Sequence, residues 1–363
     1  MEGIQMMHSK WTALLLALML AGCDSNDPDE PTPVDKLGLP VGHVNFTHLP
    51  IDLENAIEFI GYGELNIIPK GHGGFAVKGF DPDRPSDIPI YAPADGVITV
   101  IDQFSGVRPN GDKDMAITIQ ISTTIRVRWG HVDEIAQSIL DQLRRPLVEG
   151  ENRPEVRVNG GDLVGWVGQW PGFDTGIEDR SLELPWANPA RYKANEIHWA
   201  YPFDYWRGNL AAQMLAITRR QVEPRGGRIV YDVPGRIIGN WFHEELVPPL
   251  GFLPFSGHLA IAYEYFQAAN VMISEAYGRA DPDYPSRELL DVINDPTPPE
   301  ELGVDDGLIK YEYVWDGHID FPARGGTMLL QLVSPSRLRV ERFEGSTADE
   351  VAGFTGSSRY YIR

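Results

Sequence analysis

Residues 88–101 read Ile-Pro-Ile-Tyr-Ala-Pro-Ala-Asp-Gly-Val-Ile-Thr-Val-Ile. Apolar side chains, many β-branched, alternate with others or run on unbroken, which is the pattern of half-buried and fully buried strands. Met115–Val127 has the same character, and Asp162–Gly168 adds a strand entered through Asn159-Gly160-Gly161. Ile135–Leu143 carries apolar residues at helical spacing with Pro146 beyond it, so a short helix is predicted there. A second helix is predicted at Leu210–Ile217. Between about 44 and 200 the expectation is a mostly β fold built of short strands.

From Gly226 onward the pattern is again β-rich. Candidate strands are Arg228–Val233, Arg236–Phe242, His258–Phe266, Leu308–Trp315, Thr327–Val333, Arg337–Phe343 and Arg359–Ile362. Pro234-Gly235, Asp316-Gly317 and Ser334-Pro335-Ser336 punctuate them as turns. Residues 279–306 are rich in Pro and Asp and read as a long loop with a helix-like patch at Arg287–Ile293. Six or seven strands with short links predict a meander closed into a small barrel or a sandwich. Tyr263, Tyr265, Phe266, Tyr311, Tyr313 and Trp315 sit at strand spacing and are expected in its core. Gly239-x-Trp241 is similar to the start of lipocalin-like barrels, which implies an apolar ligand inside if the interior is hollow.

The N-terminus carries a different message. Lys10 precedes an apolar run, Trp11–Ala21, too short to span a bilayer, and Leu20-Ala21-Gly22-Cys23 follows from it. This resembles the bacterial lipoprotein signal, which implies cleavage before Cys23 and lipid on its sulfur. Cys23 is the one cysteine of the 363 residues, so a lipidated chain forms no internal disulfide. Residues 24–36 are acidic and proline-rich, the composition of a disordered tether. The organisation expected is a signal at 1–22, a tether at 23–43, a first β domain at 44–220 and a second at 221–363. A net charge of −21 argues against nucleic acid as a partner and gives no help in holding a polyanionic cell-wall polymer.

The first domain resembles the lysostaphin/LytM-type zinc metallopeptidases, also called duplicated hybrid motif proteins. The likeness rests on four segments covering roughly residues 60–200. Gly71-His72-Gly73-Gly74-Phe75-Ala76 is similar to the family's His-x-Gly-x-Asp, and Ile90–Ile98 to its most recognisable strand and turn. Trp129-Gly130-His131-Val132 stands where the family has Tyr-x-His-Leu, and Val158–Gly168 resembles the segment before its His-x-His. The resemblance implies a small antiparallel β fold, a zinc ion on three protein ligands, and two further histidines for catalysis. Carried over by residue, His72 is a ligand and His131 is catalytic, while the aspartate position holds Ala76. The His-x-His position reads as Asp174-Thr175-Gly176 directly after Gly168, or as Glu196-Ile197-His198 after an insertion. The nearer reading suits the spacing better. His198 is then a further candidate ligand, with Asp174, Glu196 or Asp81 as substitute carboxylates.

Each residue also has a plain reading. His72 among glycines serves a loop, His131 is a rim residue, and His198 packs against Trp199 and Tyr201. Glu196 is a solvated carboxylate, and Asp174 caps the turn after Pro171-Gly172. A further likeness joins a degenerate peptidase-like domain to a C-terminal β domain in uncharacterised bacterial proteins. It rests on Ile67-Ile68-Pro69, Asn188–Tyr192, Glu223-Pro224-Arg225, Asp232–Gly235 and Gly239–Phe242. Together these predict a mostly β, two-domain lipoprotein of the bacterial cell envelope, periplasmic or extracellular, with no cofactor. Its LytM-like domain is expected to bind a peptide or glycan of peptidoglycan, or to regulate an envelope hydrolase. The alternative is a zinc metallo-endopeptidase acting on cell-wall peptides through a rearranged site.

Overall fold

The computed structural model describes residues 33–363 apart from 66–67, 82–86, 108–112, 246–256, 277–286 and 316–323. The expected signal, Cys23, the tether as far as residue 32, Ile67 and the Asp316-Gly317 turn lie outside the described residues. Leu37 is already buried, and Arg157 Nη2 donates to its carbonyl at 2.7 Å. The packed chain therefore begins before residue 44.

The chain is mostly β, in antiparallel sheets followed by a closed barrel. In the first part, β1 (Ala56–Ile60), β2 (His72–Val77), β3 (Ile88–Tyr91), β4 (Gly96–Val107), β5 (Lys113–Gln120), β6 (Ile125–Val132) and β7 (Glu134–Ile135) precede the one-turn helix α1 (Gln137–Leu140). Then come β8 (Gly150–Asn152), β9 (Val156–Val158), β10 (Leu163–Val167) and β11 (Gly172–Asp179). The main sheet runs β1-β2-β11-β6-β5-β4, with β8 and β9 both paired to β4, and β3-β10-β7 form a second sheet. Helix α2 (Asn209–Ala216) leads to the link into the barrel.

Three expectations for this part change. Met115–Val127 is a hairpin, not one strand. Ser122 Oγ accepts from Thr124 N at 3.2 Å and Ile125 N at 3.0 Å, so one hydroxyl closes a tight turn inside an apolar run. Residues 88–101 divide at Pro93-Ala94-Asp95 into strands of different sheets. The helix at 135–143 shrinks to α1 because Ile135 pairs with Gly165 as a strand residue.

The barrel strands are β12 (Gly239–His243), β13 (His258–Tyr263), β14 (Val271–Ala276), β15 (Arg287–Val292), β16 (Ile309–Trp315), β17 (Arg324–Ser334), β18 (Arg337–Glu344) and β19 (Arg359–Ile362). They pair in sequence order and close through β12–β19. The helix-like patch at Arg287–Ile293 is the strand β15. Leu290 points into the barrel core and Leu289 packs outside against the first core, so a strand apolar on both faces loses its period of two. Arg228–Val233 is not a strand. Its apolar residues Ile229, Val230 and Tyr231 are buried as a linker against the first part.

Trp241, Leu259, Ile261, Ile273, Tyr311, Tyr313, Met328, Leu330 and Tyr361 pack together within the barrel. Side chains thus take up the interior positions that an apolar ligand would need. Arg363 closes one end, its guanidinium 3.6 Å from the Trp241 ring centre. Burial lowers the Arg363 pKa to about 10, with Asp232 pulling it back up.

The outer face of the same strands is also buried. Phe242, Ala260, Ala262 and Met272 belong to the core of the first part. Phe242 meets Tyr192 edge to face at 5.4 Å, and Asn240 Nδ2 donates to the Tyr192 hydroxyl at 3.0 Å. Gly61 N donates to the Tyr265 hydroxyl at 2.5 Å. One core therefore spans both parts. Phe242→Ala is expected to cost about 3–5 kcal/mol. Urea unfolding followed by fluorescence should show it as a shift of one shared transition, and two separated transitions would contradict the shared core.

Candidate functional site

β11 lies between β2 and β6, and its register decides which side chains meet. Asp174 stands opposite Gly74 on β2 and Gly130 on β6, while Gly176 stands opposite His72. Alternation turns Phe75, Phe173 and Trp129 into the core, where Phe75 and Phe173 stack at 5.5 Å. The same alternation turns His72, Asp174 and Arg128 to the other face. His131 reaches that face differently. The β5–β6 register shifts between Met115 and Ile117, and His131 adopts φ 60°, a left-handed conformation uncommon outside glycine. Such a bulge re-aims a side chain out of the strand's alternation.

Asp174 Oδ2 lies 3.6 Å from His72 Nε2 and 3.5 Å from His131 Nε2. Both separations exceed a hydrogen bond. His131 Nδ1 meets Asp114 Oδ2 at 2.9 Å, so Nδ1–H donates to that carboxylate. In the neutral ring this leaves the Nε2 lone pair facing Asp174. A lone pair and a carboxylate oxygen at this spacing call for a donor between them: a ring proton, a ligand N–H or O–H, or a cation. Trp170 walls one side, its ring centre 5.0 Å from that of His131. Trp199 walls another. It covers Gly71 so closely that a Cβ there would stand 1.7 Å from its ring, which explains the glycine before His72.

Burial lowers the His72 pKa, and Lys70, Arg128 and His131 lower it further, against the pull of Asp174. The ring is therefore neutral at pH 7. Burial also lowers Arg128, opposed by Asp174, Asp102 and Asp114. Its guanidinium sits 5.7 Å from the Phe104 ring centre.

The structure brings His72, Asp174 and His131 together and leaves the other candidates elsewhere. His198 is on a 3-10 turn, its Nδ1 2.6 Å from the Leu182 carbonyl. Glu196 is not solvated: it is 2% exposed, and its carboxylate accepts from Lys193 N at 2.9 Å. Asp174 does not cap a turn but lies within β11. Asp81 is tied by its N–H to the Gly168 carbonyl at 3.2 Å. Asp114, Arg128 and Trp170 escaped the sequence reading. Arg128 had a signal, since Arg126-Val127-Arg128 alternates outward. Asp114 had none, because only the hairpin brings it to a histidine 17 residues on.

A zinc centre of the expected kind does not fit these residues. Ala76 follows His72 by four residues on an extended strand, about 13 Å along it, and offers only a methyl. Gly176, across from His72, offers nothing, although a Cβ there would touch only His72 Cβ, at 3.6 Å. Among the described residues no group of three or more His, Cys, Asp or Glu side chains is placed to hold a metal ion. No family model matches the chain, and no curated protein matches it.

The His72 pKa sets a testable sign. The native ring takes its proton at lower pH than the unfolded one, so stability falls as pH drops through about 6.5. NMR titration of the His72 ring should give a pKa below 6.5 in the native protein. Asp174→Asn should lower it further, because the one raising charge is gone. An unchanged pKa would mean that the two groups do not interact.

Proposed function

We propose that this protein is a cell-envelope lipoprotein whose first domain is LytM-like without the metal centre. It serves as a binding module for a peptide or glycan of peptidoglycan, or regulates an envelope hydrolase through that contact. The observation that carries the reading is the acceptor cluster itself. His72, Asp174 and His131 stand within 3.6 Å of one another's nearest atoms across Asp174, with the expected ligand positions held by Ala76 and Gly176. Amide N–H and sugar O–H groups are donors that suit such a cluster. The floor around it is low, with Gly74, Ala76, Gly172 and Gly176 on the same face of β2 and β11, so an extended chain can approach closely.

A second reading, a zinc metallo-endopeptidase with a rearranged site, is favoured by one fact. The 3.5 and 3.6 Å separations leave Asp174 unbonded to either imidazole. One experiment separates the two. The protein is purified without chelator or histidine tag, its metal content is measured, and binding to purified peptidoglycan is followed by co-sedimentation. The binding module is expected to carry no stoichiometric zinc and to sediment with peptidoglycan, with Asp174→Asn weakening this by about tenfold. One zinc per chain, lost in His72→Ala, would establish the enzyme reading instead.

The membrane anchor has its own test. Cys23→Ser is expected to abolish labelling by radioactive fatty acid and to release the protein from the membrane fraction. Retention of both would overturn the lipoprotein assignment.

A further inference from the structure

Where the two parts meet, their surfaces do not close completely. A cavity of about 400 Å³ remains outside the barrel, within the range of small-ligand sites. The link contributes Arg220, Glu223, Arg228 and Tyr231, and the barrel contributes Tyr263 and Glu300. Arg220 is floor rather than ligand group. It is 3% exposed, and its nitrogens donate to the carbonyls of Pro224, Tyr265 and Glu223.

The remaining groups are poised but unspent. Tyr231 is 4% exposed, and its hydroxyl is the polar atom it brings to the cavity wall. A phenol hydroxyl on a cavity wall can donate one hydrogen bond to a ligand and accept others. Arg228 commits only Nε, to the Val230 carbonyl at 2.8 Å, and its guanidinium carbon stacks 4.8 Å from the Tyr231 ring centre. Among the described residues its two terminal nitrogens make no hydrogen bond. Glu300 is held by the Tyr263 hydroxyl, which donates to Oε2 at 2.7 Å, leaving Oε1 for another donor. Glu223 is held in the same manner by Arg225 N at 3.0 Å on Oε2. The cavity thus presents the exposed guanidinium of Arg228, the buried phenol of Tyr231 and the exposed carboxylates of Glu223 and Glu300.

We propose that this junction cavity binds a small zwitterion carrying both an ammonium and a carboxylate, an amino acid or short peptide. Arg228 takes the carboxylate as a charge-assisted pair, Tyr231 adds a hydrogen bond to it, and Glu300 with Glu223 takes the ammonium. A purely anionic ligand would meet two carboxylates, and a purely cationic one would meet Arg228 and Arg220. Only a ligand with both charges satisfies both walls. The proposal does not depend on the histidine cluster. Because the walls come from different parts of the chain, ligand would also tighten their contact.

The test is calorimetric titration of the purified full-length protein with L-alanyl-L-alanine, alongside propionate and propylamine as its two halves. The dipeptide is expected to bind, and each half to bind at least about tenfold more weakly. Arg228→Gln and Glu300→Gln should each weaken the dipeptide by about tenfold and Tyr231→Phe by about threefold, with thermal midpoints unchanged. Tyr231→Phe keeps the ring, so it reports on the hydroxyl even if a charge variant fails to fold. No heat from the dipeptide up to about 10 mM would overturn the proposal. So would binding equally strong for one half, or binding indifferent to all three substitutions.

Discussion

The register of β11 between β2 and β6 is the constraint on which the candidate site depends. Phe173 is locked beneath the sheet by Phe75 on one side and Trp129 on the other. With Phe173 fixed down, Asp174 must point up, and the strands on either side bring His72 and His131 to it. A slip of one residue would bury Asp174 and expose Phe173, exchanging a solvated carboxylate for an apolar ring. Core packing therefore positions the polar groups, and no contact among those groups is needed to do so.

What could be read from the sequence follows from where the physical signal is local. The β character, α2 and the strands of the barrel's second half were legible because alternation and turn residues lie within a few positions of each other. β15 was not, because Leu289 and Leu290 each face an apolar environment and erase the alternation. The Ser122 turn was hidden in an unbroken apolar run. At the site, His72, Asp174 and His131 were each singled out by resemblance, yet their meeting is a property of pairing. Asp114 became visible only with the hairpin, and the junction cavity only with the fold of both parts, since no motif marks it.

The two polar sites differ in how they hold charge. Around Asp174 the neighbours are imidazoles and the arginine Arg128, and burial depresses the protonation of His72 and Arg128 alike. Arg128 nonetheless stays a cation beside the carboxylates, while His72 is the neutral member. At the junction, Arg228 and Glu300 are each anchored by one bond and leave an atom for something else. The first arrangement gathers imidazoles and one arginine around a central carboxylate, and the second sets an arginine opposite two carboxylates.

The outer face of the barrel is core for the rest of the molecule. Phe242, Ala260 and Ala262 serve a neighbour on one side of the sheet while Trp241, Leu259 and Ile261 serve the barrel on the other. In terms of ancestry, this makes the halves a poor pair for shuffling. A recombinant that inherited a different barrel would also need a new partner for Tyr192 and residues as small as Ala260 and Ala262 facing the shared core. The two halves must then vary together, each residue change on one face answered on the other, and the pair is inherited as one piece.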